Sequence, residues 1–354
     1  MKVELFAADA LPVLQNRMFP DRASALDCAR GDMRLVQDLG SGLVYNAAFD
    51  ASLLVYDEEY QNEQGVSSVF SRHLDGVTAI LHKHLQGCTL IEVGCGKGTF
   101  LEHLQREGFA ITGIDPAYEG RNPAIVKARF EAGLGLSADG IVLRHVLEHM
   151  VDPMGFLSAI VQANASRGLI YIEVPCFDWI CANRAWFDIF YEHVNYFRLD
   201  DFHRMFGRVL DSGRVFGGQY LYVVADLASL RPPRAGTGSA VDFPTDFLNG
   251  VDAAARRAEA RPATVWGGAS KGVIFTLHLQ RQGVTPARVI DISPAKQGKY
   301  LAASGLQVLS PEQGMASMQP GDDVFVMNSN YLDEIASLTH NRFNYLSVEH
   351  AHAP

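Results

Sequence analysis

The chain has 354 residues, of which 48% are hydrophobic and 20% charged, so it is long enough for two domains with sizeable cores. Its formal net charge of −10, without clustered Lys and Arg, argues against nucleic acid as a partner, because phosphate binding needs such clusters. The N-terminus lacks a basic segment followed by an apolar one, and no apolar run reaches about 20 residues, so we expect neither secretion nor a membrane partner. The five cysteines, an odd number, predict free thiols in a reducing cytoplasm.

In chain order, the sequence predicts an α/β protein in three parts. Residues 1–65 form an irregular head, and helix-spaced apolar residues follow from Val66 to Leu85. Up to residue 230, β-rich runs such as TLIEV, AITGID and GLIYIEVP alternate with helical stretches, one of them Arg198–Leu210. This alternation predicts a parallel sheet with helices on both faces. The Pro- and Gly-rich stretch 231–240 marks a linker, and a second strand, glycine turn and helix predict a smaller α/β domain over residues 241–354.

A glycine-rich turn after the strand Thr89–Val93 predicts a cofactor site. Its pattern is G-x-G-x-G, whereas a dinucleotide fold would carry the third glycine one position later. Glu92 precedes the turn, and Asp115 ends the next strand, where a carboxylate can accept ribose hydroxyls. S-adenosylmethionine has no phosphate but carries a positively charged ammonium and sulfonium. Such a ligand suits a turn that is flanked by carboxylates. The alternative, a plain strand-to-helix turn, does not account for the two carboxylates.

The next strand, within Ile141–Pro153, ends at residues that we expect to face the same ligand, because open α/β sheets bind ligands at the carboxyl ends of their strands. His149 in this stretch is a weaker catalytic candidate, since such a histidine more often only ends a helix. The predicted cofactor-binding residues are Glu92, Gly94, Cys95, Gly96, Gly98, Asp115, Pro116, Arg144 and His145.

An aromatic segment, Cys176–Phe206, predicts the catalytic group. Its tryptophans, phenylalanines and tyrosines surround Glu192 and His193 and follow a strand's carboxyl end, so the segment should overhang the cofactor. Aromatic walls exclude water and would let a nearby carboxylate tune an imidazole toward a neutral pKa. We therefore predict His193 as general base, with Glu192 and Tyr191 orienting it or the substrate. The alternative is an aromatic packing cluster around a structural histidine.

These motifs resemble the sugar C-methyltransferases of bacterial deoxysugar pathways. The stretches that carry the resemblance are Ile91–Asp115, Val146–Pro153, Tyr191–Phe197, Val265–Gly272, Asp291–Gly298 and Asn328–Ile335. It implies a class I methyltransferase core with a Rossmann-like fold, a Rossmann-like C-terminal domain that closes the cleft, and a nucleotide-linked 4-keto deoxysugar as the small-molecule substrate. His193 would remove the C3 proton that the ketone acidifies, and the resulting carbon nucleophile would accept the methyl group.

The head departs from that family, whose members usually open with a zinc module of two C-x-x-C pairs. Leu35–Asn46 is similar to the stretch between those pairs, but Cys28 is the only cysteine before Cys88. Structural zinc needs four such ligands, so we predict a remnant of the module without metal. The resemblance further implies Tyr56 and Tyr60 as substrate-binding residues, and Lys271, in a glycine turn before a helix, could meet a diphosphate there. An equally good interpretation of Lys271 is a solvated turn lysine.

Two other functions fit the same sequence. The first is O-methylation of a hydroxyl or carboxylate on a small metabolite, in which His193 would only position the acceptor. The second is a regulator or scaffold that binds S-adenosylmethionine without catalysis, against which the complete segment YEHVNYF argues.

Overall fold

The head forms a small antiparallel sheet. The computed structural model describes residues 1–54, 67–236 and 238–350 of the chain. The first elements are β1 (Lys2–Pro12), β2 (Met18–Phe19), α1 (Arg22–Leu26), β3 (Arg30–Asp38) and β4 (Val44–Asn46). β3 pairs with β1 on one side and with β4 on the other, both antiparallel. α1 begins at Asp21, whose side chain accepts a hydrogen bond from the backbone N–H of Ser24.

A seven-stranded sheet follows. Its part of the chain contains α2 (Ser68–Leu85), β5 (Thr89–Val93), α3 (Thr99–Arg106), β6 (Ala110–Ile114), β7 (Ile125–Val126), β8 (Gly140–Arg144), α4 (Pro153–Ala163), β9 (Leu169–Pro175), α5 (Phe177–Ala182), β10 (Asn195–Tyr196), α6 (Leu199–Met205), β11 (Val209–Val215) and β12 (Tyr220–Asp226). The strand order is β11-β12-β9-β8-β5-β6-β7. The five strands from β9 to β7 are parallel, and β12 runs antiparallel to β9 and β11. The predicted class I, Rossmann-like α/β fold is confirmed.

The order of this sheet determines where a ligand can bind. The chain passes from β5 outward to β6 and β7, and then returns to place β8 on the other side of β5. Such a switch opens a crevice at the carboxyl ends of β5 and β8. β9, next to β8, is buried from Ile170 to Val174, as expected of a strand covered by helices on both faces.

A second α/β unit completes the chain. Its elements are α7 (Asn249–Ala260), β13 (Ala263–Trp266), α8 (Ser270–Arg281), β14 (Arg288–Ile290), β15 (Tyr300–Leu301), β16 (Val308–Leu309), α9 (Pro311–Met315), β17 (Asp323–Val326), α10 (Leu332–Leu338) and β18 (Asn344–Ser347). Five of the strands form a parallel sheet in the order β16-β14-β13-β17-β18. The predicted smaller Rossmann-like unit is therefore present, while the exact domain boundaries stay a prediction.

The three parts are joined by strand pairing. β10, which lies in the predicted catalytic segment, adds to the head sheet with Asn195 opposite Tyr45 and Tyr196 opposite Val44. β2 of the head pairs with β15 of the C-terminal unit. β10, which is anchored to the head, therefore begins two residues after His193.

One predicted helix is wrong in its second half. The helical prediction for Arg198–Leu210 holds only for α6, after which the backbone N–H of Gly207 donates to the carbonyl of Ser229. Val209 then pairs with Ala225 as the first residue of β11. The neighbouring edge strand offers hydrogen bonds that outweigh the local helical pattern.

Two further features concern the whole described chain. Within residues 1–54, 67–236 and 238–350, no helix combines the length and apolarity needed to cross a bilayer. All five cysteines are free thiols, as predicted.

Candidate active site

A cavity of about 260 Å³ lies at the carboxyl ends of β5 and β8. Besides the core, the head contributes Asn16 to its wall and the C-terminal unit contributes Ser270 and Lys271. The sequence-predicted residues that line it are Glu92, Gly94, Cys95, Gly96, Arg144, His145, His149, His193 and Lys271. Nine residues chosen from separate motifs therefore meet around one cavity.

The glycine turn forms one wall because side chains are excluded there. Gly94 has φ of 77°, and a Cβ at this position would lie 2.4 Å from Cγ2 of Val146. Gly96 has φ of 54°, and no atom lies within 4 Å of the position its Cβ would take. Backbone thus borders open space at Gly96, as close approach to a ligand requires. The third predicted glycine, Gly98, faces Ile125 instead of the cavity.

Asp115 supports this turn from the end of β6. One carboxylate oxygen accepts from the backbone N–H of Gly96 (2.8 Å) and the other from that of Ala117 (2.8 Å). A carboxylate has about four acceptor positions, so two remain for a ligand hydroxyl. Asp115 is not among the residues that line the cavity, and Pro116 is exposed. Ribose binding by these two residues stays a prediction.

Glu92 is a buried carboxylate in the cavity wall. The residue is only 3% exposed, and its Oε2 has no hydrogen-bond partner among the described residues. Burial raises the pKa of Glu92 to about 7; Arg144 opposes this rise and Asp115 adds to it. A buried carboxylate with an unpartnered oxygen fits a cationic ligand, because such a group is costly to leave without compensation. The ammonium and sulfonium of S-adenosylmethionine meet this requirement.

Glu173, at the carboxyl end of β9, binds Arg144 and two imidazoles behind the cavity. Its Oε1 accepts from Arg144 (2.9 Å) and lies 3.1 Å from Nε2 of both His73 and His145, and its Oε2 accepts from the hydroxyl of Tyr171 (2.8 Å). Burial alone would raise the pKa of Glu173, but Arg144 and the two imidazoles hold it well below its usual range. Sequence reasoning missed this residue. The available signal was a glutamate inside the otherwise apolar strand IYIEVP.

His145 brings positive charge to the cavity wall. It has φ of 53°, an uncommon conformation outside glycine, and its Nδ1 lies 3.4 Å from Oε1 of Glu148. Burial would lower the pKa of His145, but Glu148 and Glu173 raise it to about 9. The imidazole is therefore charged at pH 7. Beside it, the guanidinium of Arg144 lies over the ring of Phe100 at 4.4 Å.

Two imidazoles, those of His149 and His193, face each other in the cavity with ring centroids 5.0 Å apart. Nδ1 of His149 is 2.9 Å from the carbonyl oxygen of Glu192, which can only accept, so this nitrogen carries a proton. Burial, with the nearby charges of His149 and His145, lowers the pKa of His193 well below its usual value. His193 is therefore neutral at pH 7. The ring of Phe190 lies 4.9 Å away from it.

Tyr191 and Glu192, which were predicted to orient His193 or the substrate, both contact the head. The hydroxyl of Tyr191 accepts from the backbone N–H of Asp50 (2.8 Å), and its ring packs against Phe49. The carboxylate of Glu192 accepts from the backbone N–H of Gln15 (3.3 Å). These contacts anchor the segment to the head, and the carbonyl of Glu192 accepts from His149. A role of the two side chains in orienting His193 or the substrate stays a prediction.

Lys271 is engaged by acidic and amide groups. Its Nζ lies 3.1 Å from Oδ2 of Asp188 and 4.0 Å from Oε1 of Glu349, and it donates to Oε1 of Gln219 (2.9 Å). Asp188, which also lines the cavity, was missed in the sequence because it lies 83 positions from its partner. Lys271 therefore differs from a solvated turn lysine, because its side chain is mostly buried and its charge is already balanced by Asp188. Contact with substrate phosphates stays a prediction.

Two other predictions concern the substrate and metal. Tyr56 and Tyr60 lie outside the described residues. Among the residues that the structure does describe, Glu148, His149 and His193 form a group whose ligand atoms lie within 4.8 Å of one another. It lies in the cavity, not in the head, where the resemblance would put zinc. The prediction that the chain carries no metal remains untested.

Known methyltransferases are similar to this chain. Residues 66–209 match the methyltransferase domain family, a segment that contains the glycine turn, Asp115, His149 and His193. This chain is 26% identical over 290 residues to the C-methyltransferase NovU of Streptomyces niveus. The alignment covers 70% of this chain and 67% of the relative. This chain is 28% identical over 100 residues to a ubiquinone biosynthesis O-methyltransferase of Caulobacter vibrioides, covering 24% of this chain and 39% of the relative.

Solved structures resemble parts of the chain more distantly. One is a Burkholderia thailandensis 1,6-didemethyltoxoflavin-N1-methyltransferase with bound S-adenosylhomocysteine, at 17% identity and a TM-score of 0.34, covering 53% of this chain and 97% of that one. Another is the PH0226 protein of Pyrococcus horikoshii, at 10% identity and a TM-score of 0.37, covering 49% and 99%. The family match identifies residues 66–209 as an S-adenosylmethionine-dependent methyltransferase domain.

Proposed function

We propose that the protein transfers the methyl group to carbon, on a nucleotide-linked keto-deoxysugar, with His193 as general base. The observation that carries the proposal is the pair of imidazoles, His149 and His193, in the same cavity as the glycine turn. Carbon becomes a nucleophile only after losing a proton, so C-methylation needs a proton acceptor, and methylation of a carboxylate does not.

His193 is suited to accept that proton because it is neutral at pH 7. Its lowered pKa keeps a lone pair available, and the Phe190 ring on one side limits access of water. An imidazole with a pKa well below neutrality is by itself a weak base. The negative charge that develops on an acceptor beside the ring would raise this pKa as the proton moves.

The oxygen of the ketone needs a hydrogen-bond donor, because negative charge develops on this oxygen when the neighbouring carbon loses its proton. His145 is charged and lines the same cavity, as does Arg144, whose Nε has no hydrogen-bond partner. Their positions are fixed by Glu173 before any ligand binds. Fixed donors stabilise developing charge without reorganisation, which is the usual way an enzyme lowers such a barrier.

The methyl donor has its own part of the wall. Gly94 and Gly96 would border it, Glu92 would receive its positive charge, and Asp115 holds the turn in place. When bound, S-adenosylmethionine supplies an electrophilic methyl group to the acceptor. Both ligands are then held in one cavity, and orientation alone can contribute about 7–11 kcal/mol to such a reaction.

The acceptor class is supported by sequence similarity. The match to a C-methyltransferase extends over 290 residues and so beyond the methyltransferase domain at 66–209. The similarity to an O-methyltransferase covers only 100 residues. An acceptor shared with C-methyltransferases would explain why the C-terminal unit is retained.

The test uses methyl-labelled S-adenosylmethionine and a panel of nucleotide-linked 4-keto deoxysugars in deuterated water. We expect a new C–CH₃ group in one product, and exchange of the acidic C–H for deuterium before methyl transfer. His193→Ala should lose about 10²–10⁴-fold in turnover and all exchange, with unchanged donor affinity. His203→Ala, which removes an exposed histidine outside the cavity, is the control and should behave as the parent enzyme. A methyl ether or ester in the product would refute C-methylation.

A further inference from the structure

A buried carboxylate in the wall of the cavity makes no hydrogen bond. Glu148 lies in the short 3₁₀ turn Leu147–His149 after β8, is 1% exposed and lines the cavity. Neither of its carboxylate oxygens has a hydrogen-bond partner among the described residues, and Nδ1 of His145 lies 3.4 Å from its Oε1. A buried carboxylate is costly unless a partner compensates it, and buried polar groups without one are rare. Glu148 is therefore suited to receive a cation from the cavity.

Two imidazoles stand beside this carboxylate. Glu148, His149 and His193 each offer one ligand atom, and the three atoms lie within 4.8 Å of one another. In a tetrahedral zinc site, whose bonds are about 2.0–2.1 Å long, neighbouring ligand atoms lie about 3.3 Å apart. The three groups would thus have to converge by at most about 1.5 Å, which rotation about side-chain bonds can supply.

The imidazole of His149 is held as metal-binding imidazoles are. Its Nδ1 donates to the backbone carbonyl of Glu192 at 2.9 Å, so Nε2 is the nitrogen that can bind an ion. Metal-binding histidines almost always donate their other ring N–H in this way, which fixes the ring. The side-chain amide of Asn195 in β10 also donates to the carbonyl of Met150 at 2.6 Å. The two segments that carry the three groups are therefore fixed to each other.

We propose that this cavity has a site for a divalent transition-metal ion, of which Zn²⁺ fits best, with Glu148, His149 and His193 as its protein ligands, and that the bound ion inhibits methyl transfer. Two imidazoles and a carboxylate suit zinc, whereas Mg²⁺ prefers oxygen ligands alone. The ion would bond to the lone pair of His193 that the proposed reaction needs for the proton. The inhibition rests on the proposed function, and the metal site does not.

Neighbouring cations make the site a weak one. The imidazolium of His145 lies 3.4 Å from Glu148, and Arg144 lines the same cavity, so positive charge is present before any ion arrives. The ion would also have three protein ligands, whereas structural zinc has four. We therefore expect the site to be nearly empty in purified protein and to fill when zinc is added.

A thiol is the main rival ligand in this cavity. Cys95 lines the cavity as well, and zinc binds thiolates, but its sulfur does not belong to the group of three ligand atoms. Burial raises the pKa of Cys95 well above its usual value, so the side chain stays a thiol. Only the thiolate is a good metal ligand. The imidazoles and Glu148 are therefore the better ligand set.

The test is a calorimetric titration of chelator-treated protein with zinc sulfate and, separately, with magnesium sulfate. We expect one equivalent of Zn²⁺ to bind per chain and Mg²⁺ not to bind. Glu148→Gln and His149→Gln should each weaken zinc binding at least tenfold, because loss of even an outer partner of a metal ligand costs about that much. Glu102→Gln and His203→Ala change an exposed carboxylate and an exposed histidine outside the cavity, and these matched controls should bind zinc as the parent does.

Cobalt gives a measurement that does not depend on the folding of a variant. Co²⁺ can replace Zn²⁺ in such sites, and its visible absorption is strong in a tetrahedral site and weak in water. We expect the parent protein to give this absorption with Co²⁺ and to lose it when Zn²⁺ is added. Absorption as weak as that of Co²⁺ in water would contradict the proposed ligand set.

Inhibition is measured by methyl transfer from labelled S-adenosylmethionine. Zinc at a concentration that fills the site should lower turnover at least tenfold, and EDTA should restore it. Zinc binding that Glu148→Gln and His149→Gln leave unchanged, that Cys95→Ser abolishes, or that Mg²⁺ matches would each overturn the site. Zinc bound at these ligands with full or increased turnover would overturn the inhibition and remove His193 as the base. Zinc binding at these ligands, without methylation of any keto sugar, would support the site and refute only the reaction.

Discussion

The two glycine turns of this protein, at Gly94 and Gly267, share a backbone hydrogen bond to the end of the neighbouring strand and have very different surroundings. The first cavity lies at Gly94, and a second cavity of about 400 Å³ lies at Gly267. The first cavity is walled by ionisable side chains, among them Glu92, Arg144, His145 and His193, while the second is walled mainly by apolar ones. In both, a strand-end aspartate fixes the glycine backbone. The comparison indicates that the same hydrogen-bonded turn can border two cavities whose side chains suit different chemistry.

Buried charge is the clearest difference between the two units, and removing it should have the largest effect on stability. Glu173 forms ion pairs with Arg144 and His145, and its own side chain and that of Arg144 are almost completely buried. Glu173→Gln would leave Arg144 charged and unpaired, so we expect the free energy of unfolding to fall by about 3–5 kcal/mol. Denaturant unfolding of the purified variants would measure this.

The matched substitution in the C-terminal unit is Asp323→Asn. Asp323 is equally buried and accepts two hydrogen bonds from Arg257, but the side chain of Arg257 is 45% exposed and can be hydrated. We expect a smaller loss, about 1–3 kcal/mol. Equal losses of stability in the two variants would mean that burial of Arg144 does not make Glu173 more important to stability than Asp323.

The fold was largely predictable and the site only partly so. Apolar periodicity and turn residues identified β5, α3 and the restart of the pattern near Ala263, because these signals are local. The end of α6 was not predictable, since it depends on pairing of β11 with an edge strand.

The same limit applies to the catalytic segment. Four successive residues, Phe190 to His193, divide between two directions: the first and last line the cavity, and the two between them contact the head. The chain makes a turn here, in which the backbone N–H of His193 donates to the carbonyl of Phe190 at 3.3 Å, so neighbouring side chains cannot all face one ligand. Sequence order marked the segment but not which of its residues would enter the cavity.

The next prediction concerns affinity for the methyl donor. Asp115→Ala removes the acceptor for the backbone N–H of Gly96 and should weaken binding of S-adenosylmethionine by about 1.5–3 kcal/mol, the range for a hydrogen bond to a charged group. Calorimetry would measure this. Asp139 is a matched control: it also accepts from a backbone N–H, that of Thr89, but at the opposite end of β5, and Asp139→Ala should leave donor affinity unchanged. Unchanged affinity in Asp115→Ala would contradict the assigned donor site.

Donor affinity should also depend on pH through Glu92. Its pKa is raised to about 7, so the carboxylate is mostly protonated at pH 6 and mostly ionised at pH 8. A cationic ligand prefers the ionised form, and binding should tighten about tenfold, or ~1.4 kcal/mol, over that interval. His145, with a pKa of about 9, and His193, with a lowered one, keep their charge states between these values.

The pH effect can be assigned by substitution. Glu92→Gln should bind the donor more weakly than the parent at pH 8 and with little pH dependence. Glu102→Gln changes an exposed carboxylate of α3 and should retain the full tenfold change. A pH dependence that survives in Glu92→Gln would show that another group receives the positive charge.

The smallest effect is expected from removing metal. Glu148, His149 and His193 bring three possible ligands together, whereas the head lacks the cysteine pairs of a structural zinc module. In the proposed reaction His193 must keep its lone pair for the proton, and a metal bound there would occupy it. Protein purified without chelator should therefore contain far less than one equivalent of zinc, and EDTA should leave turnover unchanged. Stoichiometric zinc that is lost in His193→Ala but kept in His203→Ala would instead make the first cavity a metal centre. Zinc lost in Cys28→Ala would place it in the head, and only the first of these results would remove His193 as the base.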